Sequence, residues 1–348
     1  MRGPRAIATA ALALAAASVG AAAVPAVPQA ARVERRLGLM GTTLELTVEA
    51  RDRAAALAAS ERAVAALEAT EARLSTWRDD TELARLNRAP VGVAVPLSPA
   101  LARELAAARE CWRETEGAFD PAIGELVAEW GLRTGGKIPG EEEREEARAA
   151  SGMDGLRISP SVAVRLREGA VIEEGGFGKG AGLAKAIDAL RALPEIRSAV
   201  LDLGGQLALV GAGRREVLIA DPRRRDRPVL ALAVEAGSVS TSSDSERPGH
   251  LLDPRTGAPA ADFGSLTVWT ADPLRADCLS TGLFVLGPER ALAWAAARPD
   301  VEVLALVSEG ERLRALATPG LAGRLRPLVE EIEITTGGGE GAGAVHGR

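Results

Sequence analysis

Histidine is almost missing from this chain of 348 residues: there are two, His250 and His346, and the second lies in a Gly-rich tail. Any step that needs an imidazole near neutral pH therefore has one candidate, His250. Cysteine is as scarce. Cys111 and Cys278 stand too far apart for a metal-binding pair, which excludes paired-cysteine metal motifs and a disulfide scaffold. Each sits within an apolar helical pattern and reads as a buried free thiol. Tyrosine is absent and aromatics make up 3% of the chain, while Ala, Arg and Gly are abundant, a bias that reflects base composition more than function. Basic charge is not in excess either. The formal net charge is −6, so nucleic acid and anionic membranes are poor partners.

With 47% hydrophobic and 26% charged residues, the chain has enough apolar material for a full core and is not a disordered protein. Residues 1–30 begin with Arg2 and Arg5, continue as an almost uncharged Ala/Leu/Val run, and pass small residues near Ala21-Ala22-Ala23 and Val24-Pro25-Ala26. This pattern predicts a cleaved signal peptide and a periplasmic or extracellular location. The run is short and Ala-rich for a spanning helix. No cysteine follows to accept a lipid. Removal of the segment leaves 40 basic against 48 acidic side chains, a net charge of −8.

Alternation at Leu44, Leu46 and Val48 predicts a half-buried strand after the Met40-Gly41-Thr42 turn. Residues 54–74 read as a long amphipathic helix. Ser98-Pro99 starts another helix, with an N-cap and a proline in its first turn, and Gly117 ends it. Shorter helices are expected near 121–130 and 141–150. Beyond residue 155, short apolar runs predict strands at Val162–Leu166, Val171-Ile172, Ala199–Leu203, Leu207–Val210, Val217–Ala220, Val229–Val234 and Val301–Val307. Helices near 179–193, 275–286 and 288–297 interrupt them. Hairpin-length connections without a regular βαβ beat imply an α+β fold on antiparallel sheet with flanking helices.

Four constellations carry candidate chemistry. Glu174-Gly175-Gly176-Phe177-Gly178-Lys179-Gly180 precedes a helix, where main-chain N–H groups and a lysine suit a phosphate, although such a turn equally serves packing. Asp202-Leu203-Gly204-Gly205 either brings backbone close to a ligand or makes a plain turn. Asp277 and Thr281 share one helix face at i, i+4, an oxygen pair suited to Mg²⁺ or to simple back-bonding. His250, with Asp253 three residues later in a polar Ser/Asp/Gly stretch, is a candidate general base or a solvated loop histidine.

Taken in order, these segments resemble the ApbE family of flavin transferases, whose members move FMN from FAD onto a Thr or Ser of a target protein. Met40-Gly41-Thr42 resembles the family's opening motif. Ser75-Thr76-Trp77-Arg78 with Glu82-Leu83 and Leu86-Asn87 resembles its S-x-aromatic…S-E-L…N segment. Gly117-Ala118-Phe119-Asp120-Pro121 with Trp130-Gly131 is similar to its F-D-P…W-G region. The Gly-Gly-x-x-Lys-Gly loop, the Leu-Gly-Gly turn, the His-x-x-Asp-Pro-x-Thr-Gly stretch and the Ala-Asp-x-x-Ser-Thr helix follow in family order. The family's usual Asp-Leu-Gly-Gly and Lys-Gly-Tyr-Ala-x-Asp differ here, with Glu173-Glu174 before the glycines and Ala181 and Ala184 in place of the Tyr and Asp.

The resemblance implies one large ApbE-like domain over residues 31–335, between the export segment at 1–30 and a disordered Gly-rich tail at 336–348. It places FAD, as substrate, on Met40, Trp77, Ala118, Phe119, Asp120, Glu173, Lys179 and Leu252. It places Mg²⁺ on Asp277, Thr281 and the backbone of Gly176, and makes His250 the base that activates the acceptor hydroxyl, with Asp253 orienting it. The implied partner is an exported or membrane redox protein bearing the acceptor Thr or Ser. An FAD pyrophosphatase giving FMN and AMP, or a non-catalytic FAD-binding protein, would use the same residues.

Overall fold

The computed structural model describes residues 30–211, 213–245, 247–310 and 312–337, so the segment expected to be a signal peptide, but for Ala30, and nearly all of the Gly-rich tail lie outside the described residues. The elements run β1 (Ala31–Leu39), β2 (Thr42–Ala50), α1 (Arg53–Leu74), α2 (Glu82–Arg88), β3 (Ala94–Pro96), α3 (Pro99–Glu114), α4 (Gly124–Glu129), α5 (Glu141–Ala150), β4 (Leu156–Ile158), β5 (Val162–Arg165) and α6 (Gly178–Arg191). There follow β6 (Ile196–Leu203), β7 (Gln206–Gly211), β8 (Arg215–Asp221), β9 (Arg224–Val234), β10 (Gly237–Ser243), β11 (Leu252–Asp253), β12 (Ala258–Pro259) and β13 (Gly264–Thr270). The last are α7 (Pro273–Leu286), α8 (Pro288–Ala296), β14 (Val301–Glu309), β15 (Arg312–Ala317), β16 (Leu325–Pro327) and β17 (Ile332–Thr336).

A nine-stranded sheet in the order β1-β2-β6-β7-β10-β13-β14-β15-β17 forms the spine. Only its last pair, β15 with β17, runs parallel. The α+β reading therefore holds. Against one face lie α1, α6 and α7, whose apolar residues join the strands in two clusters, one around Leu44, Leu46, Leu67 and Leu183 and one around Leu266, Leu279 and Leu283. Of two smaller three-stranded sheets, β16-β9-β8 shares an apolar cluster with β14 and β15 of the spine, and β3-β5-β4 packs against α2 and α3.

Local sequence explains most boundaries. Asp52 caps α1 by accepting from Ala55 N–H at 2.9 Å, and Ser98 caps α3 with Pro99 in the first turn. Arg73 of α1 and buried Glu104 of α3 form a two-pronged ion pair that ties the helices together. Cys111 on α3 and Cys278 on α7 are both buried and free, as expected. Burial, reinforced by the neighbouring Cys111 thiol, pushes the Cys278 thiol well up.

Three expectations change. Val171-Ile172 is not a strand: Asn87 takes the place of a ladder partner, donating to the Ile172 carbonyl at 2.8 Å and accepting its N–H at 2.9 Å. The polar stretch ahead of His250, placed between two strands, begins inside one: Ser240–Ser243 form more than half of β10 at the centre of the spine. Thr336 belongs to the sheet through its pairing with Ala317, so order extends past residue 335. Among the described residues no helix is long and apolar enough to cross a membrane.

Candidate active site

The site is built where α6 meets α7. Gly178, Gly180 and Gly182, expected in part as a phosphate loop, lie inside α6 and serve close packing. A methyl at Gly180 would lie 2.4 Å from the Pro273 carbonyl oxygen and 2.8 Å from Asp277 Cβ, so only glycine permits this approach. The same approach lets Gly180 N–H donate to Asp277 Oδ2 at 2.9 Å. Asp277 is buried and its Oδ1 has a loose contact with Lys179 Nζ at 3.4 Å.

Thr281 lies one turn further along α7 and spends its hydroxyl proton on the Asp277 carbonyl at 3.3 Å. Its oxygen lone pairs remain available. A Cβ on Gly176 would stand 3.6 Å from Thr281 Oγ1, so the Gly176 backbone adjoins the pair. One carboxylate and one hydroxyl a helical turn apart thus line the polar cleft, with the Gly176 backbone beside the hydroxyl. Among the described residues no group of three His, Cys, Asp or Glu could hold a metal by itself. The donor set suits a hard cation that takes most of its ligands from water and phosphate, as Mg²⁺ does.

His250 lies in the loop after β10. Its Nδ1 stands 2.6 Å from the Arg247 carbonyl oxygen and 3.1 Å from Asp244 Oδ1. Both are acceptors, so Nδ1 carries the proton and Nε2 is left as the basic nitrogen. Asp244, buried, is held in turn by Gly249 N–H, which donates to Oδ2 at 2.6 Å. The orienting carboxylate is therefore Asp244 and not Asp253. Asp253 is turned into its own hairpin, where both oxygens accept from Arg255 at 2.8 Å. Closeness along the chain does not bring the two together, because Asp253 lies in β11 of the short β11–β12 hairpin.

Two clefts meet at His250, Leu251, Gly175 and Thr281. One is the more apolar and is lined by Trp77, Ala118, Phe119, Asp120, Glu173, Gly176 and Leu252. Trp77 is 69% exposed, and the Arg133 guanidinium lies 4.6 Å from its ring centroid. Arg133 also binds Glu173 and the Thr76 hydroxyl, and Glu174 receives the Thr76 N–H at 3.2 Å, so the aromatic platform is braced from below. Burial pushes Glu173 up, and Arg133 opposes that shift. Burial likewise pushes Asp120 up to about 6, against N–H donation from Met153 and Ala122.

The second cleft is more polar and runs from Lys179 and Asp277 past the Gly204-Gly205 turn to β8 and β10. Eleven of the twelve expected site residues, from Trp77 to Thr281, therefore line one cleft or the other, Lys179 and Asp277 in the polar one. Leu252, in β11, lies in the apolar cleft with them. Met40 sits apart from both, at the β1–β2 turn with a left-handed backbone (φ 51°) and its side chain against Gly178 and Gly182. Ala181 is packed in the core, and neither it nor Ala184 lines a cleft. Asp244, Arg133 and Gln206 were not singled out from sequence. Asp244 precedes His250 by six residues across a Pro248-Gly249 turn, the one local signal that could have found it.

A spine sheet carrying a helix-borne oxygen pair beside a carboxylate-oriented histidine, at the meeting point of two clefts, defines a group-transfer site. The chain belongs to the ApbE family, whose model matches residues 40–305. It is 31% identical to the FAD:protein FMN transferase of Treponema pallidum, over 83% of this chain and 88% of that one. It is 29% identical to the FAD:protein FMN transferase of Klebsiella pneumoniae, over 80% and 85%. Among solved structures, the apo flavinyl transferase ApbE of Pseudomonas stutzeri superposes with a TM-score of 0.74 at 26% identity, covering 85% of this chain and 97% of that one. The flavin transferase ApbE of Vibrio cholerae gives 0.73 at 25%, covering 85% and 99%.

Proposed function

We propose that this flavin transferase moves the FMN half of FAD onto a Thr or Ser hydroxyl of an acceptor protein and releases AMP. The observation that carries the reading is His250, tied through Nδ1 to Asp244 and Arg247 and standing beside Thr281 where the two clefts join. FAD is read into the apolar cleft, with Trp77 against an aromatic face and its diphosphate toward Lys179, Thr281 and Asp277. His250 Nε2 takes the hydroxyl proton. The alkoxide oxygen bonds to the FMN-side phosphorus, the bond from that phosphorus to the bridging oxygen breaks, and the bridging oxygen leaves with AMP.

Lys179 and backbone N–H groups offset the charge on the phosphoryl oxygens. Asp277, Thr281 and the Gly176 backbone would hold Mg²⁺, which when bound supplies further neutralisation of the diphosphate. The apolar run at 1–30 supports export, so the acceptors are sought among exported or membrane redox proteins.

Incubation with FAD, Mg²⁺ and a fragment of a candidate acceptor tests the reading. A mass gain of FMN on one hydroxyl is expected; free FMN with AMP would make the protein a pyrophosphatase, and intact bound FAD a carrier. His250→Ala should lower transfer by about 10²–10⁴-fold with FAD still bound, and Asp277→Ala should raise the Mg²⁺ needed for half-maximal rate. Unchanged transfer in either variant removes the corresponding role.

A further inference from the structure

The polar cleft has walls that FAD binding leaves unexplained. A continuous run of β8, Val217 through Asp221, lines one side, and a continuous run of β10, Val239 through Ser243, lines the other. Successive residues on a strand point to opposite faces, so an unbroken run at a cleft means that the strand presents its edge. Both edges are open. The sheet β16-β9-β8 ends at β8. β10 pairs with β7 only from Gly237 to Val239, and Ser240–Ser243 pair with β13 alone. Open edges carry backbone N–H and C=O groups that can receive another strand.

Independent of the edges, two buried polar atoms in the same walls have no partner. Gln206 is 1% exposed; its Nε2 donates to the Pro273 carbonyl at 2.8 Å, yet its Oε1 bonds to nothing. Ser265 is 3% exposed and its hydroxyl is also unpartnered. A buried polar group left unpaired costs about 1–3 kcal/mol, and a ligand offering hydrogen bonds removes that cost. At the mouth, Leu218 is a large apolar side chain left 60% exposed.

We propose that the polar cleft is the acceptor channel, in which an extended segment of the protein substrate adds as a strand along the edges of β8 and β10 and brings its Thr or Ser to His250. This rests on the transferase reading above and names how that site selects its partner. Main-chain hydrogen bonds supply the affinity, as in other strand additions, and the unpartnered Gln206 and Ser265 atoms are the side-chain groups left to engage the segment.

The test uses the whole protein with synthetic peptides of about ten residues, long enough to span both edges, each with one central Thr. Hydrogen exchange at residues 217–221 and 240–243 should slow when peptide is added and stay unchanged with FAD alone. Ser265→Ala, which removes a hydroxyl able to bond the segment, should raise the KM for peptide by about fivefold, one lost hydrogen bond's worth, and Leu218→Glu, which puts a charge in place of an exposed apolar side chain, should raise it as well, with the KM for FAD unmoved in both. Protection by FAD alone would assign the cleft to the nucleotide and overturn the channel. So would peptide flavinylated with unchanged exchange, or variants with parental KM. Free FMN and AMP with no flavinylated peptide would instead sink the transferase reading.

Discussion

At the residue scale, His250 is defined by what holds it. Its Nδ1 has a carbonyl and a carboxylate within reach, and the carboxylate is fixed by Gly249 N–H. Asp244 is thus a positioning residue. Asp244→Ala is expected to lower kcat about tenfold with the KM for FAD unchanged, because the Arg247 carbonyl still engages the ring. Asp244→Asn, which retains an acceptor oxygen, should recover part of the loss; equal kcat for Ala and Asn would reduce Asp244 to a structural role. Asp120 makes a prediction about pH. Its folded pKa of about 6 lies above the ordinary 3.8 because burial outweighs two N–H bonds. Such a carboxyl stabilises the fold when protonated, so its contribution is present below about pH 4 and lost as pH rises through about 6. Asp120→Asn should flatten the fall in urea-unfolding free energy over that window. A slope equal to the parent's would assign it to another group.

Elements decide whether those residues meet. In isolation, alanine in place of glycine stabilises a helix interior by about 0.5–1 kcal/mol. At Gly180 the sign should reverse, since the added methyl would collide with the Pro273 carbonyl and the Leu274 backbone. Gly180→Ala is expected to cost about 1–3 kcal/mol in thermal or urea unfolding and to weaken Mg²⁺-dependent transfer by shifting Asp277. A more stable, fully active variant would show that α6 and α7 separate freely. The glycines were visible in the sequence, but their purpose was not. Phosphate cradles and close helix packing use the same residue, and only the partner helix distinguishes them. β10 was hidden for another reason: its Ser240, Ser242 and Thr241 look like loop, yet their hydroxyls bond Ser280 of α7 and Thr267 of β13, so the sheet pays no penalty for burying them.

Across the whole molecule, the apolar cleft draws its lining from segments near residues 77, 118–123, 173–176, 247–254 and 281. No unfolded chain assembles that surface, so FAD should bind the native state alone. At a hundredfold excess over Kd it is expected to add about 2.7 kcal/mol to the unfolding free energy. Trp77→Ala should shrink that gain at the same FAD concentration. An unfolding midpoint indifferent to FAD would mean that the cleft does not take the nucleotide.

By itself the sequence determined the residue types and their order: a lone useful histidine, an Asp and Thr one helical turn apart, glycines before a lysine, and alternating apolar runs that make an antiparallel α+β fold. These are short-range properties, set by spacing and side-chain chemistry. Tertiary structure decided which carboxylate serves His250, why α6 must be glycine-rich, and that two strand edges open onto the same cleft. Those depend on how the chain turns back on itself between distant segments, and a turn such as Pro248-Gly249 overrides proximity along the chain when it brings Asp244 to the ring that Asp253 never reaches.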